Sequence, residues 1–199
     1  MTDDARLTAP AAARNRDPIL AILPRLLPST GLVLEVASGT GEHCAHFAAG
    51  LHHLMWQPTA LPPENRASVD AWCGDLPNVR RAIALDATAS AWPVDRADAV
   101  LCINMIHIAP WAATEGLLAG AARILPPGGP LILYGPFLRE GVATALSNCD
   151  FDASLRARDP ELGIRALRDV AAVAEGAGFG APEVTEMPAN NLTVAFRRL

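Results

Sequence analysis

An apolar run that breaks abruptly into glycines, Val33-Leu34-Glu35-Val36-Ala37-Ser38-Gly39-Thr40-Gly41-Glu42-His43, constrains this chain more than any other feature. A buried strand that ends in such a loop and re-enters a helix is a βα unit, and βα units impose a parallel sheet. The rest of the chain keeps that rhythm. Strands are predicted at 31–36, 54–58, 79–85, 97–104 and 130–135. Helices are predicted at 17–27, 41–50, 64–74, 110–125 and 160–176. The first of these starts at Asp17 as N-cap with Pro18 in the first turn, and the last ends at Gly176 or Gly178. The tail from Ala181 reads as two strands around Pro-Ala-Asn-Asn with no helix between them, so these pair antiparallel. In such α/β sheets, ligands bind beyond the carboxyl ends of the strands. The residues just after each strand are therefore the ones to inspect.

The glycine loop discriminates among ligands. A dinucleotide loop needs three glycines, and only two fall in place, with Cys44 at the third position. No Gly-Lys-Ser/Thr follows, which excludes a phosphate-binding P-loop. Glu35 before the loop and Glu42 after it would repel a pyrophosphate and suit a cation. S-adenosylmethionine (SAM), which carries an adenosine, no phosphate and a sulfonium, fits best, held over Ala37, Gly39 and Gly41. A plain strand-to-helix turn is the alternative. Asp86, after the 79–85 strand, is placed to meet adenine, with Trp92 as a ring contact, or else caps a turn. No acid follows the 54–58 strand to hold a ribose; Thr59-Ala60 stands there, with Gln57, Thr59 or Glu64 as substitutes.

Composition narrows the partners. The chain has 199 residues, 51% apolar and 19% charged, with net charge −5 and no lysine. That suits one domain spanning 1–199, its first fifteen residues an arm able to close over the site. The lack of a basic face argues against nucleic acid, and no stretch is apolar enough for a membrane span. Four widely spaced cysteines and an N-terminus unlike a secretory signal lead us to expect a cytoplasmic protein with free thiols. Oligomeric state is not readable.

At this point the strings AAARNRDPIL, LEVASGTGEHCAHFA, WQP, LCINMIHIAPW, YGPF, SNCDFDASLRARDPE, GIR and MPANN matter together. The chain resembles a family of small class I SAM-dependent methyltransferase-like proteins, called methyltransferase-like protein 26 in animals. The resemblance implies a Rossmann-like α/β fold with a mainly parallel seven-stranded sheet, a C-terminal antiparallel hairpin and a SAM site over Gly39 and Gly41. It covers nearly the whole chain. The family has Asp where Ala60 stands here. It has Trp-Gly-Ile/Leu-Arg-Asp where this chain has Leu162-Gly163-Ile164-Arg165-Ala166.

Candidate chemistry follows from the strand ends. Asn104 and His107 follow the 97–104 strand: Asn104 to hold the SAM amine or a substrate, His107 as a proton acceptor or, alternatively, a helix cap. Tyr134, the only tyrosine, and Phe137 offer rings to a sulfonium, or else fill the core. Ser147, Asn148 and Asn190 are expected at the substrate side, Asn190 doubling as a hairpin-turn residue. Arg14 and Asn15 are expected at the amino-acid end of SAM, Arg14 pairing with its carboxylate. His43 and His46 lack the converging ligands a metal needs. Three functions remain in play: methyl transfer to a small molecule, cyclisation of SAM to azetidine-2-carboxylate and methylthioadenosine, and non-catalytic SAM binding.

Overall fold

The computed structural model describes residues 5–199, so residues 1–4 of the expected arm lie outside it. The chain begins with α1 (Pro10–Leu26), β1 (Gly31–Val36), α2 (Glu42–Gly50), β2 (Leu54–Pro58) and α3 (Pro63–Cys73). It continues with β3 (Ala99–Ile103), α4 (Trp111–Ile124), β4 (Pro130–Gly135), β5 (Phe137–Leu138) and α5 (Leu146–Arg158). It ends with β6 (Arg165–Ala166), α6 (Leu167–Gly176), β7 (Glu183–Met187) and β8 (Asn191–Arg197). Among the described residues the main sheet has six strands in the order β2-β1-β3-β4-β8-β7. The first four are parallel neighbours, and β8 runs antiparallel between β4 and β7. The fold is thus α/β, mainly parallel, with a C-terminal antiparallel hairpin.

The place of a seventh strand is held differently. Residues 79–83 lie along the edge of β2 but touch it as two isolated bridges, Trp56 with Val79 and Thr59 with Ile83. Pro58 has no N–H to extend a ladder. Between the bridges side chains take over: Gln57 Nε2 donates to the Arg81 carbonyl at 2.9 Å, and the Ala82 N–H donates to Asp70 Oδ1 at 2.8 Å.

Alternation along each strand fills both faces. Val33, Leu101 and Ile132 join Phe47, Trp56 and Leu23 in a core beneath α1, α2 and α3. Leu34, Val100 and Leu133 face the other way, against Leu117, Ala121 and Val170 of α4 and α6. Each large aliphatic side chain removed from water contributes roughly 1.5–3 kcal/mol, so this two-sided burial is the main source of stability.

Two sequence expectations change here. Helix α1 does not start at Asp17; it starts at Pro10 and runs through Pro18 and Pro24. Ala12, Ile19, Leu23 and Leu26 lie at helical spacing on its buried face, and that packing outweighs the hydrogen bonds the prolines remove. The region read as a 160–176 helix holds β6 and then the shorter α6, while α5 before it was not anticipated. Among the described residues, no helix is long and apolar enough to cross a membrane.

Candidate functional site

Strand order reverses between β1 and β3, and two cavities open above that point. The smaller, about 250 Å³, is lined by Ala37 and Gly39 from the glycine loop, Ala60 and Asn65 beside β2 and α3, and Asp86 and Met105. The larger, about 670 Å³, is lined by Arg14 and Asn15 of α1, Asn104, Tyr134, and Asn148 and Phe151 of α5. Ile108 belongs to both linings, so the cavities adjoin.

The loop geometry explains its composition. Gly39 (φ 57°) and Gly41 (φ 94°) adopt left-handed backbone. A Cβ on Gly39 would meet nothing within 4 Å, whereas one on Gly41 would stand 2.6 Å from Val69 Cα of α3. Gly39 therefore leaves room beside the cavity, and Gly41 lets α2 approach α3. Ala37, Asn104, Ala189 and Asn190 also take positive φ, and the first three line the cavities. Backbone strain of this kind collects at binding sites.

The two carboxylates of the loop do not face a ligand. Glu35 shares the α1–α3 side of β1 with Val33, and only 1% of it is exposed. Burial pushes its carboxyl up to about 7, against hydrogen bonds from Ser38 and Cys44, and Oε2 has no partner among the described residues. Glu42 Oε2 accepts the Ala9 N–H at 2.6 Å and the Thr40 hydroxyl at 2.9 Å. Glu35 is thus buried away from the cavities and Glu42 is engaged by backbone and Thr40, so neither acid is placed to attract a cation as its loop position suggested. Asp86 does line the smaller cavity, while its Oδ1 caps a turn through the Thr88 N–H and hydroxyl, at 2.9 and 2.7 Å. Trp92 packs instead against α4, its ring lying where a Cβ on Gly120 would stand.

His107 is placed behind the wall rather than at the mouth. A 3-10 turn over Met105–His107 rotates the ring inward, and none of it is exposed. Burial first, and Arg165 second, lower its pKa to about 3, so the imidazole is neutral. Nδ1 accepts the Arg165 N–H at 3.3 Å, and Nε2 abuts Gly135, whose added Cβ would stand 2.5 Å away. A proton acceptor for a ligand in the cavity is not available in that position. Phe137 meets His107 edge-on at 5.0 Å and belongs to the core, not to the lining.

Of the residues expected on the substrate side, Asn148 lines the larger cavity and donates from Nδ2 to the Asn190 carbonyl at 3.1 Å. Asn190 thus acts through its backbone, in the tight turn between β7 and β8. Ser147 is exposed and outside the lining; one residue earlier on α5 than Asn148, it points elsewhere. Sequence reasoning missed Phe151 because α5 carries no apolar periodicity, and Asn65, whose Nδ2 donates to the Gly39 carbonyl at 2.9 Å. The arm at residues 5–9 lies on α3: the Leu7 N–H donates to Ser68 Oγ at 2.8 Å, and Trp72 Nε1 donates to the Leu7 carbonyl at 2.8 Å.

A family model described as "Protein of unknown function (DUF938)" matches residues 6–198. The chain belongs to the DUF938 family. Solved structures place this DUF938 protein in a broader fold group. It is similar to CalO1, a methyltransferase in calicheamicin biosynthesis in its SAH-bound form, with TM-score 0.75 and 18% identity over 95% of this chain and 54% of that one. It is similar to human N-acetylserotonin methyltransferase in complex with SAM, with TM-score 0.77 and 16% identity over 94% and 52%. It is also similar to an O-methyltransferase family 2 protein from Planctomyces limnophilus in complex with apigenin, with TM-score 0.79 and 21% identity over 99% and 61%. The DUF938 chain spans between half and two thirds of these structures' lengths. At such identities the likeness is one of fold.

Proposed function

We propose that this DUF938 protein binds SAM across the two cavities and directs its methyl group to a small-molecule acceptor. The observation that carries the reading is the pair of adjoining cavities over the strand-order reversal, one mainly apolar with Asp86 as its acid, the other amide-rich with Arg14 as its charged residue among the described ones. The open space beside Gly39 is the fit expected for a nucleoside against a backbone turn. The known binders of SAM and SAH among the similar folds support the same ligand. The resemblance of the sequence to methyltransferase-like protein 26 supports the same ligand.

In this assignment Asp86 accepts from the adenine amine, and Asn65 stands near the ribose in place of the acid absent at Ala60. Arg14 pairs with the amino-acid carboxylate, while Asn15 and Asn104 meet the amine. SAM supplies a methyl already activated by its sulfonium. The chain's task is alignment and exclusion of water, which Tyr134, Phe151 and Asn148 perform around the acceptor. With His107 buried and neutral, none of the described lining residues is a strong base, so the acceptor brings its own nucleophilic lone pair. Net charge −5 and the lack of lysine support a small molecule over nucleic acid.

One feature favours a second reaction at the same site. Among the described residues, the larger cavity is lined by Asn15, Asn104, Asn148 and Asn191 and by no carboxylate. Amides hydrogen-bond an amine without holding it charged. A neutral α-amine of SAM can form a bond to its own γ-carbon as the C–S bond breaks, losing one proton. The products are azetidine-2-carboxylate and methylthioadenosine.

Calorimetry with SAM and with S-adenosylhomocysteine, on wild type and Gly39→Ala, tests binding. Mass spectrometry of SAM incubated alone and with an acceptor panel tests the reaction. Binding lost in the variant, with S-adenosylhomocysteine released only when an acceptor is present, is the expected result. Methylthioadenosine from SAM alone would establish cyclisation instead, binding without turnover would make the protein a SAM-binding module, and no binding would overturn the whole reading.

A further inference from the structure

Asn15 stands where α1 passes the larger cavity, between His43 of α2 and the Tyr134 ring of that cavity's lining. His43 Nε2 of α2 lies 2.7 Å from Asn15 Oδ1. The Tyr134 phenol lines the same cavity; burial raises its pKa, and the Asn15 side chain works against that rise. An amide oxygen only accepts, so the imidazole nitrogen facing it carries the proton, and His43 is the Nε2–H tautomer. That leaves the amide nitrogen as the group able to donate to the phenol oxygen. The phenol O–H is left free to donate in turn.

The imidazole is built to keep that polarity. It stacks on Phe47 with ring centroids 5.5 Å apart and 28° between planes. Its charged and titratable neighbours are Arg16 on α1 and His46 on α2, and His46 in turn meets Asp17 at 2.8 Å. Burial, then His46, then Arg16 lower the His43 pKa to about 4. Near neutral pH the ring therefore holds one proton, on the nitrogen that faces Asn15.

We propose that His43 is a positioning residue: it fixes the Asn15 amide and through it aims the Tyr134 hydroxyl into the larger cavity as a hydrogen-bond donor to the bound ligand. The functional role rests on the reading of that cavity as the SAM and acceptor site. The relay itself exists in the ligand-free protein and is testable without any ligand.

Tyr134 is the only tyrosine in the chain, so its phenol titration is readable in isolation. The experiment is a titration of ¹³C-tyrosine-labelled wild type, His43→Phe, His43→Gln and Asn15→Leu by NMR. A long-range ¹⁵N–¹H spectrum of wild type reads the His43 tautomer. Phe keeps the stack on Phe47 but loses the donor, and the Gln amide keeps a donor. The expected results are an Nε2–H tautomer, a Tyr134 pKa raised by about one unit in His43→Phe and in Asn15→Leu, and return toward wild type in His43→Gln. An Nδ1–H tautomer in wild type would overturn the proposal, as would an unshifted phenol in folded His43→Phe. Where His43→Phe does not fold, the wild-type tautomer and Asn15→Leu decide. Calorimetry with SAM completes the set: a several-fold weaker affinity in His43→Phe, restored in His43→Gln, supports the aiming role. A wild type that binds no SAM would overturn that role while the titration separately reports the relay.

Discussion

The two cavities are built from different kinds of structure. The smaller is walled by chain that the core fixes. Residues 33–36 of β1 are buried, and Ala113 belongs to a helix whose Leu117, Leu118 and Ala121 are buried. The absent Cβ of Gly116 lets the Ala87 carbonyl close onto α4. The larger cavity is roofed by pieces that bury little. In α5 only Leu155 is buried, while Leu146 is 83% exposed and Phe151 36%. That helix is held by a few polar contacts: the Ile164 N–H to Asp152 Oδ1 at 2.6 Å, and Asn148 to the Asn190 carbonyl at 3.1 Å. Segments with few buried apolar contacts open at lower free energy than the core does. The comparison teaches a division of labour. Under the proposed function, the rigid floor would recognise the nucleoside and the adaptable roof the acceptor.

The largest effect is expected beneath the floor. Glu35 ionises near pH 7 when folded and near 4.5 in the reference state. A carboxyl whose folded pKa is raised contributes stability below about pH 4.5 that is lost as pH climbs through about 7. His43 and His107 act oppositely, because their lowered values make the unfolded chain the better proton binder between about pH 4 and 6.5. The difference between wild type and Glu35→Gln cancels the histidines. Urea denaturation from pH 4.5 to 8 should show the variant gaining on wild type by about 3 kcal/mol across that range. A flat difference would mean that Glu35 is solvated from the cavity and that the floor is not rigid.

Floor and roof can then be separated in function. Gly39→Ala places a methyl in the open space proposed for the nucleoside, on a backbone at φ 57°. SAM affinity should fall at least about tenfold, roughly 1.4 kcal/mol. Phe151→Ala should leave SAM affinity within about twofold and raise acceptor KM several-fold, which calorimetry and steady-state kinetics would distinguish. If Phe151→Ala weakens SAM as much as Gly39→Ala does, the roof belongs to the nucleoside site and the division collapses.

The same contrast explains what the sequence made legible. β1, β3 and β4 are runs of buried residues, and the turns after β1 and β3 bring Ala37, Gly39 and Asn104 to the cavity linings. Helix α5 buries one side chain, so no periodicity announced it or Phe151. Glu35 was read as facing a ligand because charge suggested it, but strand alternation turns it toward Cys44 under α2. His107 was read by its distance after β3, and a single 3-10 turn reversed its direction. Spacing places backbone well at strand ends. It does not say which way a side chain leaves a short irregular turn.

The smallest effect sits in the floor itself. Ala37 occupies left-handed backbone at φ 58°, which costs an L-residue about 1–2 kcal/mol. Glycine would remove that cost but lose roughly 0.5–1 kcal/mol more chain entropy on folding. Ala37→Gly should therefore stabilise the fold by about 0.5–1 kcal/mol and raise Tm by about 2–3 °C. The methyl also packs against the α4–α6 side of the core, and deleting it works against that gain. Calorimetric unfolding weighs the two. A higher Tm with unchanged SAM affinity would show that the floor keeps its shape without the methyl, held by β1 and α2 on either side. A lower Tm would show instead that packing of this methyl sets the floor, and that the strain at residue 37 is accepted in exchange for it.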